Sequence, residues 1–437
     1  FAAGIFFTIR LGFINVRLFP HALAVVSGKY SKKDDPGEVT HFQALTSATS
    51  ATVGLGNIGG VALAVSYGGP GAVFWMVACG FFGMTAKYAE VTMGLKFRDI
   101  LPDGRINGGA YEYLKKGLAS KGYAKLGLIL SFIFAICCIG GSIGSGNMFQ
   151  INQSISVISD TFDLSYESRF LISLLMAILV GVVLFGGIKR IGKVTERIVP
   201  FMAIFYVTSC IIVLIANSDL IYSSMVLIIS SAFDFDAAKY GFAAAIINGL
   251  IRAFFSSEAG MGSAPTAHSA AKTSEPAREG CVALLEPFID TVLVCTMTGL
   301  VIVSTGVYVN SDADGAVLTA KSFETVSEWF PEMLSIAVIL FAFSTMLTWG
   351  YYGTKAWAYL FGDNLKVESL FKIIFCIFTF LGGIMTNINI VVDFSTNLFL
   401  AMAIPNVLGL YLMYDIISKE TKEYMNKYTK HKFKENF

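Results

Sequence analysis

Residues 41–68 read HFQALTSATSATVGLGNIGGVALAVSYG, and this stretch decides the fold class. It is as long and as apolar as a membrane span, yet five glycines stand where a regular span would carry Leu. The string Thr52-Val53-Gly54-Leu55-Gly56-Asn57 combines low helix propensity with a polar amide. Because non-helical backbone survives at membrane depth only where it lines a cavity or is buried in protein, the stretch predicts a membrane helix interrupted at its centre.

A second interrupted segment follows about 200 residues later. Residues 241–270 read GFAAAIINGLIRAFFSSEAGMGSAPTAHSA, with Gly260-Met261-Gly262 and then Pro265 in mid-segment. Two Gly/Pro-interrupted segments at corresponding positions of two halves indicate a transporter binding site near the bilayer midplane.

The composition agrees with a membrane protein. Of 437 residues 55% are hydrophobic and 14% are charged, where a soluble domain has about 25% charged. The net charge of +1 argues against a nucleic-acid binder. The seven cysteines lie in apolar runs without a Cys-x-x-Cys pair, so neither a disulfide framework nor a zinc site is predicted.

Apolar runs long enough to cross a bilayer predict eleven spans. The sequence is expected to start inside the first of them, with upstream residues missing. The spans are expected at 1–16, 41–67, 70–95, 124–155, 168–188, 198–217, 238–270, 279–308, 331–361, 367–386 and 389–417.

The two interrupted spans each open a set of five, which predicts an all-α polytopic protein with an inverted five-plus-five repeat. One extra helix and a cytoplasmic loop occupy 1–40 and precede the repeats at 41–217 and 218–417. A lysine-rich tail at 418–437 follows. The loops on one side of the predicted spans, with the tail, hold 24 Lys and Arg residues against three on the other side, so this side and the tail are expected to be cytoplasmic.

An interrupted helix exposes groups that suit two kinds of ligand. Free carbonyls at Ser50 to Val53 carry partial negative charge and suit Na⁺, while free N–H groups at Gly54 to Asn57 suit a carboxylate. Ser256, Ser257 and Gly260 to Ser263 are expected to play the mirrored part.

Polar residues inside other spans extend this prediction. Ser344 and Thr345 offer hydroxyl oxygens to a cation, or bond to their own helix. The amides Asn147, Gln150 and Asn152 lie within an apolar run, which favours a polar cavity, although they could also join two helices.

Ionisable residues within spans are candidates for function. Lys87 and Glu90, three residues apart, are predicted to pair with each other. Glu258 stands beside the second interruption, where it either holds the unwound backbone or binds ligand.

Long strings of this sequence resemble the alanine/glycine:cation symporter family, from the first residues to about 415. They are FQALTSATSATVGLGNIGGVA, YGGPGAVFWM, AFFSSEAGMGSAPTAHSAAKTSEPAREG, FIDTVLVCTMTGLVIV and FAFSTMLTWGYYGTKAWAYLFG. The resemblance implies a LeuT-like fold preceded by one extra helix. Ser257 stands where the family usually has Asn.

The resemblance also implies a set of site residues. A small amino acid would be surrounded by Thr52, Gly54, Gly56, Asn57, Phe149, Gln150, Ser257, Gly260, Met261 and Trp349. Na⁺ would be held by the backbone of Ser50, Val53 and Phe341 and by the hydroxyls of Ser344 and Thr345.

We therefore expect a secondary active transporter, not an enzyme, that couples Na⁺ entry to uptake of alanine or glycine in the plasma membrane of a bacterium or archaeon. Its only partners are expected to be its substrate and the lipid bilayer, without nucleic acid, organic cofactor or obligate protein partner. The alternatives are a proton-coupled transporter of the same fold, which would use Glu258 or Asp290, and a channel.

The charge asymmetry makes the orientation testable. Single cysteines at Ser311 and Ser418, in a background without native thiols, should react differently with an impermeant reagent in right-side-out cells. Ser311 is expected to label and Ser418 to stay protected, because the loop at 309–330 is predicted external and the tail cytoplasmic. The reverse pattern would show that the topology is inverted.

Overall fold

The computed structural model describes residues 1–32, 34–102, 104–235, 241–313, 315–386 and 396–435, the last seven of these by backbone alone. Residues 238–240 and 389–395 of two predicted spans, and the last two residues of the tail, lie outside this description. Apart from one antiparallel pair, β1 (Asp99–Ile100) with β2 (Ile106–Asn107), the regular structure described is helical.

Nineteen helices are described, with π-type turns opening α5, inside α8 and inside α14. They are α1 (Ala2–Arg10), α2 (Ile14–Arg17), α3 (Phe19–Val26), α4 (His41–Thr52), α5 (Gly56–Gly68), α6 (Gly71–Lys96), α7 (Ala110–Ser120), α8 (Ala124–Phe162), α9 (Tyr166–Leu184), α10 (Gly187–Ala216), α11 (Ser218–Ser231), α12 (Phe242–Ser257), α13 (Pro265–His268), α14 (Pro276–Thr305), α15 (Gly315–Glu324), α16 (Phe330–Phe361), α17 (Leu365–Ile384), α18 (Thr396–Leu412) and α19 (Tyr414–Glu435). A single 3₁₀ turn at Val307–Val309 follows α14.

In the described part of the chain, fewer helices than the eleven predicted spans are long and apolar enough to cross a membrane. Among the described residues seven helices are long and apolar enough to cross a membrane, or nine if the bent pairs α4 with α5 and α18 with α19 each count as one span. Of the remaining two segments, 1–16 forms the nine-residue α1 and the start of the short α2, and 238–270 forms the 16-residue α12 before the chain unwinds. The count of eleven is therefore not confirmed, while the helical architecture is.

The first interrupted helix starts at a sequence-encoded cap. The Thr40 hydroxyl accepts the Gln43 N–H at 3.1 Å, and the Gln43 side chain accepts the Thr40 N–H at 3.1 Å. This reciprocal capping box satisfies two of the free donors of the first turn and sets where α4 begins. The helix then runs twelve residues before the chain leaves helical geometry at Val53.

Long buried helices surround the two interruptions. Helix α4 packs against α10 and α16, and α12 packs against α6. Helix α16 also packs along α8, which carries the amides predicted to line a cavity. The interrupted segments are therefore enclosed by protein on several sides, as non-helical backbone at membrane depth requires.

The basic loops meet at one end of the molecule. The Arg98 guanidinium donates to the carbonyls of Pro36, Ser269, Ala271 and Thr273, at distances from 2.5 to 2.8 Å. At the same end ion pairs join further predicted cytoplasmic segments: Lys96 with Glu420, Arg105 with Asp363, and Lys121 with Asp415. The loops that the charge count assigned to one side do lie together.

Candidate functional site

The first interruption lies between α4 and α5, whose axes differ by 50°. Val53 has φ −77° and ψ 88°, outside the helical region, and the next helix begins at Gly56. The freed Gly54 N–H donates to Asn57 Oδ1 at 2.9 Å, and the Leu55 N–H donates to Gln150 Oε1 at 3.2 Å. Both backbone N–H groups are buried and donate to side-chain oxygens. A ligand carboxylate could therefore take the place of those oxygens.

Asn57 also joins the first interruption to its surroundings. Its Nδ2 donates to Ser256 Oγ at 2.9 Å and to the Asp290 carbonyl at 2.9 Å. Ser256 is next to the last residue of α12, directly before the second interruption, and Asp290 lies on α14. One fully buried amide therefore connects three elements.

The second interruption begins where α12 ends. Glu258 follows in left-handed geometry with φ 52°, and Gly260 and Gly262 have φ 90° and 82°. The Glu258 carboxylate accepts the Trp349 indole N–H at 3.0 Å and also the Ser263 hydroxyl. Glu258 thus bonds across the unwound turn from its start to its end. This arrangement is the one expected if Glu258 holds the unwound backbone in place.

Glu90 and Asn406 hold the same unwound turn from outside. Glu90 Oε1 accepts the Gly262 N–H at 3.2 Å and Asn406 Nδ2 at 2.7 Å, and the same Nδ2 donates to the Gly260 carbonyl at 2.8 Å. The prediction that Glu90 pairs with Lys87 is wrong, because Lys87 Nζ lies 3.2 Å from Glu286 Oε2 instead.

The oxygens predicted to hold Na⁺ meet where α4 and α16 cross. The Thr345 hydroxyl donates to the Ser50 carbonyl at 2.9 Å, and the Ser50 hydroxyl lies 2.8 Å from the Ser344 carbonyl and 2.7 Å from Thr348 Oγ1. The Ser344 hydroxyl instead bonds back to the Phe341 carbonyl at 3.1 Å. Ser50 and Thr345 therefore form the oxygen pair, while Ser344 and Phe341 satisfy each other.

The other predicted residues differ in how closely they approach these groups. Gly54 lies against Thr345 and Gln150: a Cβ built on it would be 2.6 Å from Thr345 Oγ1 and 3.2 Å from Gln150 Oε1. On Gly56 a Cβ would be 3.1 Å from the Phe255 carbonyl, and the Phe255 ring packs edge-to-face on Phe149 at 5.7 Å. Gly54, Gly56, Phe149 and Gln150 therefore lie close to the first interruption.

Three predicted residues make contacts within their own segment. The Thr52 hydroxyl donates to the Thr49 carbonyl at 3.1 Å, and the Ser257 hydroxyl donates to the Ala253 carbonyl at 3.0 Å. Val53 is buried and its N–H closes the last turn of α4 at 2.7 Å from the Thr49 carbonyl. Met261 and Trp349 are buried bulky side chains near the second interruption.

A chain of buried ionisable groups was not predicted. His268 Nδ1 lies 2.6 Å from Glu279 Oε1, and His268 Nε2 lies 2.5 Å from Glu286 Oε1. Glu279 also bonds His41 at the start of α4, and Glu286 reaches Lys87. The available signal was a set of ionisable residues in or beside apolar segments, but His268 lies on α13 and Glu279 and Glu286 on α14, so only the fold brings them together.

The comparisons with known proteins agree with this geometry. The family model described as the sodium:alanine symporter family matches residues 1–437. The sodium/alanine symporter AgcS of Methanococcus maripaludis is 41% identical over 428 residues, which cover 96% of this chain and 92% of that protein. The probable sodium/glutamine symporter GlnT of Bacillus subtilis is 31% identical over 432 residues, covering 96% and 86%.

The fold has a counterpart among solved structures. The crystal structure of MhsT in complex with L-phenylalanine matches with a TM-score of 0.58 at 16% identity, covering 86% of this chain and 89% of that one. MhsT has the LeuT fold, so the predicted LeuT-like architecture is confirmed. With the full-length family match, these findings show that the chain belongs to the sodium:alanine symporter family and is a multi-pass membrane transporter of amino acids rather than an enzyme.

Proposed function

We propose that this protein couples the entry of Na⁺ to the uptake of a small neutral amino acid, alanine or glycine. The observation that carries the proposal is the placement of two kinds of ligand group on one interrupted helix. The Ser50 carbonyl and Thr345 hydroxyl lie 2.9 Å apart, and the freed Gly54 and Leu55 amides follow within five residues. Hard cations take oxygen ligands, and carboxylates take free N–H groups at helix starts.

Coupling follows from this shared backbone. Na⁺ at the carbonyl end of α4 and a carboxylate at the amide end of α5 both favour the same arrangement of residues 50–57. Each ligand then raises the affinity of the other by the same factor. A tenfold Na⁺ gradient supplies about 1.4 kcal/mol, and about 100 mV supplies about 2.3 kcal/mol per charge. Together these could support accumulation of several hundredfold at one Na⁺ per substrate.

We expect bulky side chains at the two interruptions to restrict the size of the substrate. Phe149, Met261 and Trp349 are buried bulky side chains, and the Phe149 ring is fixed edge-to-face against Phe255. Gly56 and Gly260 leave room for the ligand's own backbone. This arrangement supports a side chain no larger than a methyl group.

The proposal includes the arrangement in the membrane. The repeats at 41–217 and 218–417 would be inverted, and the 418–437 tail would face the cytoplasm of the bacterium or archaeon. The ion pairs that gather the basic loops at one end support a common side for them.

A proton as the coupling ion is the second candidate. The chain His41–Glu279–His268–Glu286–Lys87 favours it, since hydrogen-bonded imidazoles and carboxylates can hold and pass a proton. It starts on α4, the helix that carries the proposed Na⁺ oxygens.

Uptake into proteoliposomes driven by an ion gradient distinguishes the two ions. Labelled alanine is expected to accumulate when an inward Na⁺ gradient is imposed, and not with Li⁺ or a pH gradient alone. Alanine and glycine should compete well, whereas leucine, glutamine and phenylalanine should compete poorly. Uptake driven by a pH gradient without Na⁺ would favour the proton, and equal inhibition by phenylalanine would refute the size restriction.

The cation site is tested by Thr345→Ala, which removes one oxygen from the pair with Ser50. The Na⁺ concentration for half-maximal alanine binding should rise about ten- to a hundredfold, because a contact to a charged group contributes about 1.5–3 kcal/mol. Alanine affinity measured without Na⁺ should barely change. Thr305→Ala is the matched control, since within the described part of the chain the Thr305 hydroxyl bonds to carbonyls of its own helix. If Thr345→Ala keeps the wild-type Na⁺ dependence, the assignment of the cation site to α16 is wrong.

The amide site is tested by a pair of glycine substitutions. In Gly54→Ala the new Cβ would be 2.6 Å from Thr345 Oγ1, so alanine binding should weaken about ten- to a hundredfold, in line with an overpacking cost of about 1–3 kcal/mol. In Gly60→Ala the Cβ meets nothing within 4 Å, so binding in detergent should stay at the wild-type level. Equal affinities for the two variants at equal melting temperatures would contradict the assignment.

A further inference from the structure

A polar cavity of about 190 Å³ lies at the end of the molecule where the basic loops meet. We call it the basic pocket. It is away from both interruptions and uses none of the residues assigned to the substrate or to Na⁺. Its lining comprises Glu38, Arg105, Phe185, Gly186, Gly187, Ile188, Lys189, Tyr351, Thr354, Lys355, Leu365, Glu368 and Lys372.

Three cations in the basic pocket converge on one carboxylate. Glu368 lies 3.3 Å from Lys355 Nζ, 3.6 Å from Lys372 Nζ and 3.6 Å from Arg105. Lys355 and Lys372 are only 7% and 8% exposed, so both charges are largely withdrawn from water. Burying two ammonium groups that share a single carboxylate is costly unless another anion compensates them.

The other acids at the basic pocket are already engaged. Glu38 accepts the Ile106 N–H at 2.8 Å, and Asp363 accepts from Arg105 and from Asn107. Lys189 adds a further cation to the lining. The four basic side chains therefore outnumber the three carboxylates Glu38, Asp363 and Glu368.

The start of α10 also favours an anion in the basic pocket. Residues 186–189 line the basic pocket, and the first N–H groups of this 30-residue helix have no partner within the helix. The positive end of its dipole adds to the field of the lysines.

The basic pocket lies beside exposed apolar surface. Helix α9 has exposed apolar residues at helical spacing, and α17, which packs against α9, has a second such row. The rows are Leu171, Leu175, Ile178 and Val182 on α9 and Leu370, Ile373 and Ile377 on α17. Phe185 and Leu365, at the ends nearest the basic pocket, are 49% and 71% exposed. Acyl chains lying along these rows would bring a headgroup to the lysines.

We propose that the basic pocket binds the phosphate group of an anionic phospholipid, with Lys355, Lys372 and Arg105 as donors and the acyl chains along α9 and α17. Basic pockets between membrane helices are a known type of headgroup site. This proposal is independent of the coupling ion and of the transported amino acid.

The test uses the purified full-length protein in detergent and follows its melting temperature as lipid is added in mixed micelles. Phosphatidylglycerol is expected to raise the melting temperature in a saturable manner, and phosphatidylcholine is not. The double variant Lys355→Gln/Lys372→Gln should need about five- to twentyfold more phosphatidylglycerol, since each basic residue contributes about fivefold. The control Lys419→Gln/Lys422→Gln removes two exposed tail lysines and should keep the wild-type response.

Glu368→Gln separates a lost site from a lost fold. Removing the one shared carboxylate leaves Lys355 and Lys372 without this counter-charge, while Arg105 keeps Asp363. This variant should therefore bind phosphatidylglycerol about fivefold more tightly, whereas general destabilisation would weaken the response. If the lysine double variant does not fold, the direction of the change in Glu368→Gln decides.

Three results would overturn the proposal. They are equal responses to the two lipids, an unchanged response in the lysine double variant, and weaker binding in Glu368→Gln. Sodium phosphate is the remaining arm: competition with phosphatidylglycerol supports headgroup recognition. Stabilisation by phosphate with none by phosphatidylglycerol would assign the basic pocket to a soluble anion and refute the lipid.

Discussion

At membrane depth every backbone amide and carbonyl that is not bonded within a helix must find a partner inside the protein. Most of this structure follows from that requirement. The two interruptions free such groups near the centre of the molecule. At the first, Asn57 and Gln150 accept the loose amides. At the second, Glu90 and Asn406 hold the unwound turn. The helices α6, α8 and α18 are placed so that these side chains reach the breaks.

The same requirement explains what the sequence could and could not predict. The interruptions were predictable because Gly, Pro and polar residues in an apolar run are local signals. The residues that satisfy them were predictable only in part: Asn57, Gln150 and Glu258 were candidates. Asn406 was not, since it is 146 positions from Gly260 and only the fold brings the two together. The count of eleven segments is not confirmed, because α1 and α12 are too short to meet the length of a span.

The mistaken pairing of Lys87 with Glu90 has a similar cause. The spacing rule for helical neighbours describes side chains on an exposed surface, where few other partners compete. Both residues are fully buried, and each is drawn to a different helix: Lys87 to Glu286 on α14, and Glu90 to Asn406 on α18. The predicted oxygens of Ser50 and Thr345 did meet, because α4 and α16 pack directly together.

Arg98 has a consequence for how the molecule moves. Its one guanidinium joins the segment before α4, at Pro36, to the segment after α13, at residues 269–273, through four carbonyls. Any displacement that separates these segments must break bonds on one side of the same rigid, planar group. When the two segments are only partly separated, the guanidinium has lost some of its hydrogen bonds but is not yet hydrated by water. Separation of these segments would therefore be a cooperative step, because four bonds depend on the position of one side chain.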